Sequence, residues 1–395
     1  MRWQRWVGRS IGGSFFVAGT YVVGAGIYGT RQINDTRKRW FSDDFVMTPE
    51  TLRMPYKSVY FQTRDGIELN GWFVEQTVKG KPSSNLIMCC NPYNQDKSTL
   101  LGICRGFWDA GYSVLLFDYR SHAKPPRERT IGYKEVDDAK AALSWLLENK
   151  PKEGKIGLVG ASMGGAVALR LCADVDSKRF DISKYIKNPE AEEIENTMPI
   201  SQQKVDEETE TNDEKIDNRS SNHSEQEHLK ETERVIIACA TDCAFSSLKR
   251  VLGASIDKNF PTGGRLFSQK GLIPLHSLIL ESVCFINQFW YGYNPENVGP
   301  ECELSSLTTP LLILHSADDS VVPVEQAHII YQKSGTRPEE KQLQIVPNTE
   351  HIGAYFNSEK EYIRSIVRFL DKRFEIANSS AFVPYAEESY LNTDL

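Results

Sequence analysis

Gly160-Ala161-Ser162-Met163-Gly164 constrains this chain more than any other stretch. An apolar run, Lys155-Ile156-Gly157-Leu158-Val159, precedes it, and Gly165-Ala166-Val167-Ala168-Leu169-Arg170-Leu171-Cys172 follows. The first run predicts a buried strand and the second a helix, so G-x-S-x-G falls on the corner between them. Such a corner turns the backbone sharply at the serine. Side chains near Gly160 and Gly164 would clash there, so both positions call for hydrogen in place of a Cβ. The turn lifts the serine hydroxyl clear of the sheet and leaves the Met163 N–H at a helix start, aimed at developing negative charge.

A nucleophilic serine needs a base and an orienting carboxylate, and where this elbow occurs the chain order is serine, acid, histidine. Downstream, Pro310-Leu311-Leu312-Ile313-Leu314-His315 reads as another buried strand, with Asp318 and Asp319 just beyond it. Lys341-Gln342-Leu343-Gln344-Ile345-Val346-Pro347 reads as a third, ending in Asn348-Thr349-Glu350-His351. A carboxylate after one strand and a histidine after the next converge on the serine at the carboxyl edge of a parallel sheet.

These segments resemble the α/β-hydrolase superfamily, over most of residues 50–376, and within it a group of membrane-tethered serine hydrolases with peptidase-like members. His315 to Pro323 is similar to the family's H-G-x-x-D-x-x-V-P segment, which implies Asp319 as the acid, with Asp318 the nearby competitor. His351 stands where the family's general base stands. Arg64-Asp65-Gly66-Ile67-Glu68-Leu69-Asn70-Gly71-Trp72 is similar to the family's opening hairpin, and Phe117-Asp118-Tyr119-Arg120-Ser121-His122-Ala123 to its F-D-Y-R-G-H-G loop. Asp242, after the strand Val235–Ala240, is an alternative acid, because some relatives carry theirs there.

Two departures stand out. Asn91-Pro92-Tyr93 replaces the relatives' H-G-Y or H-G-N after the third strand, Leu86–Cys90. Pro92 has no N–H, but the second oxyanion donor falls on Tyr93. Ser121 and Ala123 stand in place of glycines. The implied mechanism has Ser162 Oγ attack a carbonyl carbon, His351 relay the proton and Asp319 hold the imidazole, while the Met163 and Tyr93 N–H groups bind the oxyanion. It needs neither cofactor nor metal.

The chain of 395 residues is longer than one such domain requires, and the excess is localised. Strands alternating with helical patterns such as Tyr133–Leu147 predict an α/β-hydrolase fold, with a mostly parallel sheet and helices on both faces. Ile11 to Gly29 is a run of 19 residues without a charge, flanked by Arg2, Arg5 and Arg9 and by Arg31, Arg37, Lys38 and Arg39. It approaches the roughly 20 apolar residues a bilayer-spanning helix needs, and residues 1–40 are read as an uncleaved membrane anchor with a basic flank. Cleavage near Val23-Gly24-Ala25 is the rival, and an interfacial helix is disfavoured because no polar face separates.

Residues 187–233 hold fifteen Asp or Glu against five Lys or Arg and no aromatic residue, a net −10 within a formal −7 for the whole chain. Such a stretch cannot offset chain entropy and is expected to be a disordered acidic insertion. Residues 248–302, rich in Leu, Phe and Trp, occupy the place of a cap, and 378–395 read as a flexible tail. The eight cysteines, several on core strands and helices, show neither disulfide nor metal spacing and fit a domain facing the cytosol. Asn34-Asp35-Thr36, Asn218-Arg219-Ser220 and Asn222-His223-Ser224 match glycosylation sequons. No nucleic-acid motif is present. The sequence therefore predicts a serine hydrolase acting on a carboxylic ester or thioester of a small-molecule or lipid-like acyl substrate. A peptidase of the same fold and a catalytically inactive binding module are the alternatives.

Overall fold

Buried apolar runs build the sheet, and the alternation within each run decides which face it feeds. The computed structural model describes residues 20–34, 47–185, 234–259 and 275–377. Its main strands are β1 (Lys57–Gln62), β2 (Glu68–Val74), β3 (Asn85–Cys90), β4 (Ser113–Phe117), β5 (Lys155–Ala161), β6 (Ile236–Asp242), β7 (Leu311–Ser316) and β8 (Lys341–Val346). The helices longer than two turns among the described residues are α1 (20–34), α2 (Leu101–Asp109), α3 (Glu135–Asn149), α4 (Met163–Asp176), α5 (Leu248–Asn259), α6 (Leu275–Tyr291), α7 (Glu325–Lys333) and α8 (Glu359–Ala377).

The strands lie in the order β1-β2-β4-β3-β5-β6-β7-β8. β1 and β2 pair antiparallel, as do β2 and β4, and the remaining pairs are parallel. Strands covered on both faces read as near-continuous apolar runs, which is why β4, β6 and β7 are buried along their whole length. On β3, Leu86, Met88 and Cys90 face the core shared with α3 and α4, while Ile87 and Cys89 face the core shared with α2 and α8. The sheet is thus sandwiched by helices, as the strand–helix alternation predicts.

The strand order reverses at β3, which has β4 on one side and β5 on the other. In open parallel sheets such a switch point leaves a crevice beyond the strand carboxyl ends. The loops after β3 and β5 open there, carrying Asn91–Tyr93 and Ser162. The loop after β4 needs no glycine at 121 or 123: Arg120–His122 forms a 3-10 turn and Ala123 has φ −64°.

Arg120 fastens this edge to its neighbours. Its guanidinium meets Asp138 at the start of α3 at 2.8 Å and Asp65 in the β1–β2 turn at 2.9 Å. The Arg120 and Asp138 side chains are almost wholly buried. Burial opposes the charge on Arg120, but the hydrogen bonds and charges of the two carboxylates outweigh it and hold the guanidinium ionised.

The expected anchor lies only partly within the described residues. Of the run Ile11–Gly29, residues 11–19 lie outside the described residues and 20–29 belong to α1. Among the described residues no helix is long and apolar enough to cross a membrane. The described part of α1 extends about 22 Å at about 1.5 Å per residue. It also has the polar face that its composition hides: Thr30 and Asn34 are buried against α6. Asn34, first residue of a sequon, is only 3% exposed and hydrogen-bonded to Asn287 and Tyr293, so the folded chain does not offer it for glycosylation. The acidic stretch 187–233, with its two sequons, and the tail 378–395 lie outside the described residues.

Removing the Arg120 side chain leaves the buried Asp138 carboxylate with the residue-120 amide but without its countercharge. Arg120→Ala is expected to lower stability by about 3–5 kcal/mol. Urea denaturation followed by circular dichroism measures it, and a loss below 1 kcal/mol would show the pair to be expendable.

Candidate active site

Ser162 occupies the corner between β5 and α4 with φ 52° and ψ −118°. A non-glycine residue in this region carries strain of about 1–3 kcal/mol and persists only where its surroundings over-determine it. Here they do. The Ser162 N–H donates to the Asp242 carbonyl at 2.8 Å, and the Ser162 carbonyl accepts from Ala166 N–H at 3.2 Å. A Cβ at Gly160 would run into the Gly164 carbonyl, and one at Gly164 into the carbonyls of Cys90 and Asn91. The glycines are a packing requirement: the first turn of α4 touches both its own strand and the loop after β3.

That contact brings Asn91–Tyr93 against the start of α4, where Met163 begins the helix. Asn91 is fully buried and donates through Nδ2 to the Phe117 carbonyl at 2.6 Å, tying the loop to the end of β4. The Tyr93 hydroxyl donates to the Ile33 carbonyl at 2.8 Å, which ties the same loop to the last turn of α1.

His351 lies between the serine and the acid. Its Nε2 is 2.9 Å from Ser162 Oγ and its Nδ1 is 2.6 Å from Asp319 Oδ2. A carboxylate only accepts, so Nδ1 carries the proton and Nε2 offers a lone pair to the serine hydroxyl. The other Asp319 oxygen accepts the N–H groups of Val321 and Val322, both at 2.8 Å. Burial pushes the Asp319 carboxyl up, but the hydrogen bond and charge of His351 and the two amides outweigh it and hold it below the usual carboxylate range. A hydroxyl, a correctly tautomerised imidazole and an ionised carboxylate in one line can move a proton off the hydroxyl oxygen.

The competing acids are elsewhere. Asp318 is exposed and does not touch His351, offering its N–H to the Thr349 carbonyl. Asp242 is buried, with one oxygen accepting from the Tyr362 hydroxyl at 3.1 Å and the other without a partner. Burial raises its pKa to about 6, against the hydrogen bonds of Cys243 and Tyr362.

The residues that brace this line were not legible as such. Cys243 Sγ accepts the N–H of Ile352 at 3.3 Å and of Ser316 at 3.4 Å, linking the ends of β6 and β7 to the residue after His351. Ile352 has φ 51°, a conformation that a β-branched residue adopts only under constraint. His315 Nε2 donates to the Val322 carbonyl at 2.9 Å and lies 3.5 Å from Asp319 Oδ2, and burial holds its pKa below the usual imidazole value. Cys243, His315 and Asp319 form a cluster of metal-ligating type, the one such group among the described residues. Cys243 Sγ, His315 Nε2 and both Asp319 oxygens have hydrogen-bonding partners, whereas His315 Nδ1 is buried without one.

The comparisons bear on the fold that carries these residues. Residues 91–358 match the model of a family described as alpha/beta hydrolase fold. The uncharacterized protein YqkD of Bacillus subtilis is 23% identical over 78% of this chain and 76% of its own. Protein bem46 of Schizosaccharomyces pombe is 29% identical over 33% of this chain, and the match spans 44% of that relative. Among solved structures, the Pyrococcus furiosus esterase Pf2001 superposes with a TM-score of 0.55 at 19% identity, covering 85% of this chain and 97% of that one. A puromycin-hydrolyzing peptidase of Mycobacterium tuberculosis reaches 0.51 at 12% identity, covering 81% and 40%. At such identities the likeness is one of fold.

Asp242 supplies a pH test. Its folded pKa of about 6 exceeds the unfolded value of about 3.9, so its ionisation costs stability as pH rises through that window. Asp242→Asn is expected to gain on the wild type between pH 4 and pH 6 and to hold a lead of about 2–3 kcal/mol above it. Denaturant midpoints at pH 4 and pH 8 measure the difference, and a constant offset would refute it.

Proposed function

Because this chain belongs to the alpha/beta hydrolase fold family, we propose that it is a serine hydrolase cleaving a carboxylic ester or thioester through an acyl-enzyme intermediate. Ser162 Oγ attacks the carbonyl carbon while His351 Nε2 takes its proton. Asp319 holds the Nδ1–H tautomer and stabilises the imidazolium. The Met163 and Tyr93 N–H groups stabilise the tetrahedral oxyanion, His351 returns the proton to the leaving group, and water then releases the acid. No cofactor enters the scheme.

One observation carries the reading: the unbroken line from Ser162 Oγ through His351 to Asp319, at 2.9 and 2.6 Å, on a serine whose backbone is held at φ 52°. The fold is shared with an esterase and with a peptidase, so the choice of an acyl ester comes from elsewhere. The support is the apolar amino-terminal helix tied to the Tyr93 loop, which favours a lipid-like acyl group arriving beside it. Buried, unpaired thiols favour a reducing surround, so the proposal has the catalytic domain face the cytosol.

A fluorophosphonate probe is expected to label the wild type covalently, and labelling should vanish in Ser162→Ala. Intact, folded wild type that takes no label would instead be a binding module. Against p-nitrophenyl acyl esters of graded length, turnover should appear and persist with chain extension, whereas cleavage confined to aminoacyl amides would make the enzyme a peptidase.

The acid is tested separately. Asp319→Asn is expected to lower kcat by about 10⁴-fold through the wrong imidazole tautomer. Asp242→Asn should stay within a few fold of the wild type. The reverse ranking would transfer the role to Asp242.

A further inference from the structure

Helices α1 and α6 are built inside out for a pair facing water. They run side by side in the same direction: Ser282 Oγ donates to the Val22 carbonyl at 3.2 Å near one end, and the Tyr293 hydroxyl reaches Asn34 at 3.0 Å near the other. Gly26 lets them approach so closely that a Cβ there would strike Ser282. Asn287 joins Asn34 at 2.7 Å and Thr30 at 3.3 Å, and these polar side chains are almost wholly buried. The outer face is aromatic instead. Phe285 and Phe289 are 72% and 76% exposed, Tyr28 is 62% exposed, and the half-exposed Trp290 ring has the Arg31 guanidinium carbon 5.8 Å from its centroid.

Polar groups between helices and large apolar groups outside are the arrangement of helices whose solvent is lipid. Trp, Tyr and Arg together suit the headgroup level, where an apolar ring body meets a polar, anionic layer. Charge selects lipid over a second copy. The first 34 residues contain no Asp or Glu and include Arg2, Arg5, Arg9 and Arg31, with Arg37, Lys38 and Arg39 soon after. Self-pairing would bring this basic segment against itself, whereas each basic residue near an anionic leaflet gains about 1 kcal/mol.

We propose that the outer face of α1 and α6 docks in the headgroup–acyl boundary of an anionic lipid leaflet, lying in the plane of the membrane rather than crossing it. Phe285 and Phe289 enter the acyl layer, Tyr28 and Trp290 sit at the headgroup level, and Arg31 pairs with lipid phosphate. The last turn of α1 holds the Tyr93 hydroxyl, so the docked face adjoins the loop bearing an assigned oxyanion donor. The docking itself does not depend on hydrolysis.

The test uses the full chain with exposed Cys302 replaced by Ser. An environment-sensitive nitrobenzoxadiazole label is attached at Phe289→Cys or, as a control on β1, at Tyr60→Cys, which is 62% exposed. Phosphatidylcholine vesicles containing phosphatidylglycerol should blue-shift and brighten the Phe289→Cys label, brominated lipid should quench it, and the Tyr60→Cys label should not respond. Pure phosphatidylcholine should give a smaller response, as should Arg31→Glu on the anionic vesicles. A Phe289→Cys label that stays water-exposed while the protein floats with vesicles overturns the proposal. So does a shift that arises without vesicles and grows with protein concentration, which would identify a second copy as the occupant. Neither result bears on fluorophosphonate labelling, so this inference and the hydrolase reading can fail separately.

Discussion

The backbone at Ser162 is held in a conformation that it would leave if any of three neighbours moved: the end of β6, the loop after β3, or the first turn of α4. The Asp242 carbonyl fixes its amide, and the missing side chains at Gly160 and Gly164 let helix, strand and loop share a space too small for a Cβ. The strain is repaid by close packing of fully buried parallel strands, whose interior deforms little. From that corner a single direction is available to the hydroxyl, and the loop after β8 supplies the imidazole along it.

The imidazole is fixed as firmly as the hydroxyl. Asp319 receives two backbone amides on one oxygen and His351 on the other, so its carboxylate has little freedom to turn. Cys243 acts on the far side, where its sulfur accepts the Ile352 amide and so pins the residue following His351 in the left-handed region. The sulfur is a weak acceptor, but in a buried site any acceptor is better than an unmet N–H. Three strand ends, β6, β7 and β8, are thereby coupled through side chains and amides within a few ångströms of the serine.

The remote edge of the same network is α1. Through Ile33 it touches Tyr93, and through Thr30 and Asn34 it joins α6, so residues 20–34 belong to the folded domain. An anchor joined to its domain only by a linker would leave the crevice unaffected by what the anchor binds. A helix packed into the domain does not, because displacing it would remove partners from Tyr93, Asn287 and Tyr293 at once.

Much of this was legible beforehand. Parallel strands covered on both faces must be apolar throughout, so Leu86–Cys90, Ile236–Ala240 and Leu311–Leu314 stand out by composition alone. The corner was readable because its glycines and serine are adjacent in sequence, and resemblance to a known segment ordered the acid and histidine behind it. Hydropathy did not show what α1 packs against, since it sums residues without regard to face, and the partners of Thr30 and Asn34 lie about 250 residues away in α6. Cys243 was unreadable for the same reason, its contacts being 73 and 109 residues distant. What the sequence determined by itself was the set of strands and the chemistry at their ends, because burial and turn geometry act on neighbours along the chain. Which of three aspartates meets His351, and whether the first helix packs against the domain, only tertiary structure decided, because both depend on distances between side chains that the chain brings together last.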